Sequence, residues 1–112
     1  MIALLVVLAG GVGACLRYAA VLAAGSRPLR ATWVVNLIGS FALGLLAAQL
    51  GDRGSLLVVG TGLLGGFTTF STAAVDSVHI TRERSTVVGA AHAIGMLVVC
   101  VTAALLGALI GR

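Results

Sequence analysis

Four apolar runs divide the chain: residues 2–24, 32–50, 55–79 and 86–110. A hydrocarbon core about 30 Å thick is crossed by roughly 20 helical residues, so each run predicts one transmembrane helix. The first is apolar except for Arg17 and Tyr18, and the second carries only Asn36, Ser40 and Gln49 as stronger polar groups. The breaks between runs join turn formers to charge: Gly25-Ser26-Arg27-Pro28-Leu29-Arg30, Gly51-Asp52-Arg53-Gly54 and Thr81-Arg82-Glu83-Arg84-Ser85. Such segments suit helical hairpins turning at a membrane surface. The expected fold is an all-α membrane protein with a single transmembrane domain, residues 1–112, whose function lies inside the bilayer.

Composition agrees. The 112 residues are 60 % hydrophobic and 9 % charged, with seven arginines, no lysine and three acids, too few charges to coat a soluble domain of this size. That excludes a water-soluble enzyme and a free nucleic-acid binder. The net charge of +4 comes from arginines scattered singly between apolar blocks, which form no patch for nucleic acid. Their placement is topological: Arg27, Arg30, Arg82 and Arg84 fall at one end of the bundle, Arg53 and Arg112 at the other. Short loops rich in arginine stay cytoplasmic, so loops one and three are expected inside, with a bias toward one fixed insertion.

Val12-Gly13-Ala14-Cys15 loosely resembles a lipoprotein cleavage site, but no basic segment precedes it and cleavage would leave three spans. Cys15 and Cys100 fall near mid-membrane in different spans and read as small hydrophobes. Four spans are thin for enclosing a pathway, which points toward an oligomer. The sixteen glycines include the pairs Ser40/Gly44, Gly62/Gly66 and Gly107/Gly111, which let helix backbones approach closely within a subunit or between subunits.

The third span is the least ordinary. Gly60-Thr61-Gly62-Leu63-Leu64-Gly65-Gly66-Phe67-Thr68-Thr69-Phe70-Ser71-Thr72 mixes glycines with hydroxyls around residue 67, the centre of that span. Both residue types lower helix propensity. Either the helix breaks there, leaving carbonyls for a cation and amides and hydroxyls for an anion, or it stays intact with hydroxyls bonded to the preceding turn. The Gly60-x-Gly62-x-x-Gly65 pattern is not a dinucleotide fingerprint, since no strand-turn-helix unit surrounds it. Intramembrane polar residues are costly and mark function. Arg17, Asn36, Asp76 and His92 all fall in the same half of the bilayer, with Arg17 and Asp76 the obvious structural ion pair. Arg17, Asn36 and the hydroxyls leave a surplus of donors, which favours an anion as the transported species.

Gly10-Gly11-x-Gly13-Ala14-x-x-Arg17-Tyr18, Thr32-x-x-Val35-Asn36-x-x-Gly39-Ser40-Phe41 and Gly65-Gly66-Phe67-Thr68-Thr69-Phe70-Ser71-Thr72, in order on three successive spans, closely resemble the CrcB/Fluc fluoride channels. The resemblance implies a fluoride-selective channel of the bacterial cell membrane that exports fluoride. It also implies an antiparallel, inverted dimer in lipid, with a third helix broken near the midplane and a central structural sodium ion. The sodium would be held by backbone carbonyls at Gly65 and Thr68. Asn36, Ser71 and Thr72 would serve as polar waypoints, and Phe70 as a pathway ring whose positive edge stabilises the anion. Several positions depart from the pattern: Ala73 replaces a second ring, His92 a tyrosine, Met96 a serine, and Asp76 a glutamate. The inverted partner is then either a second copy of the chain or, as these departures suggest, a paralogous subunit, with His92 on the pathway and Phe67 a candidate substitute ring. The alternatives are a small multidrug-type inverted-dimer transporter, against which the first span offers Arg17 and no acid, and a non-conducting partner subunit. An enzyme is not expected, because no nucleophile, base and orienting group converge.

Overall fold

A computed structural model describes all residues from Met1 to Arg112. It is entirely helical, with four segments long and apolar enough to cross a membrane. Helix α1 spans Ile2–Ala24 and α2 spans Pro28–Gln49. The third crossing is divided: α3 occupies residues 53–67 and α4 Phe70–Glu83, and α5 (Thr86–Ile110) makes the fourth. The bundle measures 46 × 28 × 21 Å, and its long axis matches a bilayer with its headgroups, about 40–45 Å.

Local chemistry sets the ends. Gly25 closes α1 with φ 57°, a left-handed conformation that glycine adopts without steric cost. Pro28 opens α2 four residues before the apolar run at 32, because its fixed φ suits the first turn of a helix and its missing N–H is not needed there. Asp52, Thr69 and Ser85 cap α3, α4 and α5 by accepting the backbone N–H groups of Ser55, Thr72 and Val88. Ser55 also holds the Asp52 carboxyl below its ordinary range, chiefly through that backbone N–H.

Helix α1 packs along α3, while α2 and α4 pack on α5. The glycine pairs serve these contacts. A Cβ on Gly62 or Gly66 would strike Val6 or Gly10 of α1; on Gly107 it would strike Phe41 of α2, and on Gly44 it would strike Ala104 of α5. These pairs therefore pack helices within the subunit and cannot by themselves carry the expectation of an assembly. Only 14 of 112 residues are buried, so most of the apolar surface faces outward, as lipid requires.

The third crossing breaks at Thr68 and Thr69, two extended residues (φ −77°, ψ 162° and φ −147°, ψ 119°) near its centre. Of the two readings left open by composition, the break is the one realised. A π-helical stretch, Leu56–Leu64, precedes it. There the Gly65 N–H reaches back five residues to the Gly60 carbonyl, a widened turn that the pattern of apolar positions does not signal.

Candidate functional site at the helix break

Asn36 organises the break. Its Oδ1 accepts the Thr69 N–H at 2.7 Å, and its Nδ2 donates to the Thr69 carbonyl at 2.9 Å. One buried side chain thus satisfies both backbone groups of an extended residue in mid-membrane, where an unsatisfied group would cost several kcal/mol. The same Nδ2 donates to the Met96 sulfur at 3.3 Å. In an unbroken helix the Thr69 N–H would bond Gly65, four residues back. Its turn toward Asn36 leaves the Gly65 carbonyl without that partner, on an exposed residue.

The expected Arg17–Asp76 pair is not made. Arg17 instead donates from Nη1 to the Thr68 carbonyl at 2.8 Å. The break supplies this carbonyl because Thr68 is extended and its oxygen has left the helical ladder. The buried Oδ2 of Asp76 has no hydrogen-bond partner. The four other N–H donors of the Arg17 guanidinium have no acceptor within the chain.

Two cavities flank the break. The smaller, about 180 Å³, lies among α1, α2 and the start of α4, and is lined by Ala14, Arg17, Tyr18, Val21, Thr32, Val35, Thr69 and Thr72. Thr72 accepts from the Thr69 hydroxyl at 2.9 Å, and its own proton has no acceptor in the chain. The 14-residue α4 starts here, so the positive end of its dipole adds to the Arg17 charge. The larger cavity, about 320 Å³, opens on the other side among α2, α3, α4 and α5, with Asn36, Ser40, Gly65, Thr68, Phe70, Ala73, Ser77, Met96 and Cys100 in its wall. Phe70 is 88 % exposed, so its ring projects away from its own bundle. Ser71 is exposed as well, its hydroxyl 3.3 Å from that of Thr69.

His92 lines neither cavity. Its Nε2 accepts the Trp33 indole N–H at 3.1 Å, and the Trp33 ring lies edge-on at 86°. Its Nδ1 lies 2.9 Å from Ser77, whose hydroxyl donates to the Ala73 carbonyl. Because indole can only donate and the Ser77 proton is already engaged, the proton of His92 sits on Nδ1 and points at Ser77. Phe67 is half-buried, with its ring beside Gly39 of α2.

The four polar residues expected in one belt thus divide into a cluster at the break, holding Arg17 and Asn36, a separate His92 group, and an unpartnered Asp76. Sequence reasoning missed Trp33 and Ser77 as partners of His92, and the capping role of Thr69. The spacing Thr69-x-x-Thr72, a hydroxyl three residues ahead of a helical N–H, was the available signal for the cap.

A family profile described as CrcB-like protein, Camphor Resistance (CrcB), matches residues 4–108. The chain is 42 % identical to a protein of Cutibacterium acnes named fluoride-specific ion channel FluC 2, across 99 % of this chain and 98 % of that one. It is 41 % identical to the fluoride-specific ion channel FluC of Idiomarina loihiensis, across 88 % and 82 %, and 41 % identical to FluC 1 of Halobacterium salinarum, across 85 % and 81 %. With four membrane-crossing segments and a match over nearly its whole length, the chain is a multi-pass membrane protein of the CrcB-like family.

Proposed function

We propose that this chain forms a fluoride-selective channel that carries fluoride out of the cytoplasm and so protects the cell from it. The names of its relatives support the reading, and one observation carries it. A helix begins in mid-membrane, with its positive end, an arginine with unclaimed N–H groups and a free threonine hydroxyl converging on the 180 Å³ cavity. A small, strongly hydrated anion needs dense donors to replace its water, and they stand here without an internal acceptor. Arg17 and the Thr72 hydroxyl receive the anion, with Ser71 beside them. Phe70, exposed at the break, offers its ring edge to an ion passing between subunits.

The assembly we propose is an inverted dimer. The Gly65 carbonyl, on an exposed residue, lies at a depth where lipid offers no hydrogen bond, which a second subunit would cover. A sodium ion between the subunits fits the carbonyls at the break. Gly65 has lost its helical donor, and Thr68, although it accepts from Arg17, keeps a second lone pair. When bound, the ion supplies positive charge that ties the two breaks together. The four-to-two arginine bias between the ends and the absence of a ring at Ala73 favour a paralogous inverted partner over a second copy. The test is growth of a fluoride-sensitive host lacking its own fluoride exporter. Expression of the chain, alone or with its paralogue, restores growth in fluoride, and Phe70→Ile does not. Failure of every combination at normal membrane expression would reject the reading.

A further inference from the structure

Helix α5 carries His92, Met96 and Cys100 at four-residue steps. Side chains so spaced share one face of a helix, with Cβ atoms about 5–6 Å apart from one residue to the next. His92 is already engaged, since Trp33 donates to its Nε2 and its Nδ1 lies 2.9 Å from Ser77. Met96 and Cys100 both stand in the wall of the larger cavity, about 320 Å³.

The two sulfurs are suited to a ligand in different ways. Met96 is 5 % exposed, and its Sδ accepts an Asn36 amide proton at 3.3 Å. That bond steadies a side chain that is otherwise unusually adaptable. A thioether sulfur has two lone pairs, so one is left to face the cavity. Cys100 is a free thiol, half-buried, one turn further along α5.

Thioether and thiolate sulfur select soft metals, Cu(I) among them. Zinc is excluded by ligand number, because it takes three or four His, Cys, Asp or Glu ligands and no group of three such residues exists in the chain. A soft monovalent cation is content with two sulfurs. Charge gives the same answer. When the Cys100 thiol binds a metal it releases its proton to water, and the thiolate left behind neutralises a single positive charge. A divalent ion would keep a net charge in an apolar wall, at a high desolvation cost.

We infer that Met96 and Cys100 form a two-sulfur site for a soft monovalent cation of the Cu(I) type in the wall of the larger cavity. Binding here does not depend on whether the chain conducts fluoride.

Silver(I), which matches Cu(I) in charge and softness without its redox chemistry, is the probe, in chloride-free buffer to keep it dissolved. The chain has two methionines, so labelled methyl carbons give two NMR signals, and fully exposed Met1 reports what a thioether does alone. The background is Cys15→Ala, which removes the other free thiol and leaves the site untouched. One equivalent of silver should shift the Met96 signal saturably and leave that of Met1 in place. Adding Cys100→Ala should weaken the binding by about tenfold or more. An unmoved Met96 signal in the Cys15→Ala protein would overturn the site. So would equal shifts at Met1 and Met96, or an unchanged affinity in the Cys100→Ala variant.

Discussion

The two sides of the break differ in what their donors face. On the α1 side, Arg17 makes one bond to the Thr68 carbonyl and the Thr72 proton makes none, so the polar groups are left open to an ion. On the α5 side, Asn36, Ser77 and His92 are joined to protein partners in every direction the structure records. Polar residues inside a membrane therefore do two kinds of work a few residues apart. One set holds an irregular backbone together, and the other presents unsatisfied charge. Counting intramembrane polar residues does not separate them, whereas asking where each proton goes does.

Breaking the structural side should have the largest effect. Asn36→Leu orphans the N–H and the C=O of Thr69, each worth about 1–3 kcal/mol when buried without a partner. The expected result is loss of most folded protein, read as aggregation on size exclusion in mild detergent. Asn36→Asp keeps only the acceptor and should be intermediate.

The open side should respond in flux rather than in stability. Arg17→Gln removes the charge but keeps a donor for the Thr68 carbonyl. A charged hydrogen bond is worth about 1.5–3 kcal/mol, so fluoride efflux should fall by about tenfold or more while the thermal midpoint moves little. The reverse pattern would make Arg17 structural and erase the contrast. Trp33→Phe sharpens the comparison from the closed side. It removes the donor to His92 Nε2, costing about 1 kcal/mol of stability with no change in flux.

The smallest effect lies outside the membrane. The Ser55 N–H lowers the Asp52 pKa from its ordinary value of 3.8. A carboxyl with a lowered folded pKa adds stability that is complete above its unfolded pKa and is lost as pH falls through the folded one. The thermal midpoint of the wild type should therefore drop slightly more than that of Asp52→Asn between about pH 5 and pH 2, because asparagine caps without titrating.

Much of the fold was legible because bilayer thickness fixes helix length, and four runs of that length leave few alternatives. The break was legible as well, since glycines and hydroxyls crowd residue 67 where an intact helix gains least. Partners were less legible. Arg17 and Asp76 look like a pair on charge alone, but the break releases a carbonyl at Thr68 that the guanidinium takes instead. His92 read as a pathway residue because it falls where the resembled family has a tyrosine, and nothing in the chain announced that Trp33, 59 residues earlier, would fill one of its nitrogens. Hydrogen-bond partners across helices depend on rotation about each axis, which depth does not determine. The glycine pairs left two readings open for a related reason, since spacing shows that a face is smooth but not which helix lies against it.

Efflux measured with a fluoride electrode on proteoliposomes holding the chain, with chloride run in parallel, bears most directly on function. A channel built around the open donors of the break predicts fast fluoride release with negligible chloride release, and a sharp loss of fluoride release in Arg17→Gln. Chloride release at a comparable rate, or fluoride release unchanged by Arg17→Gln, would contradict it.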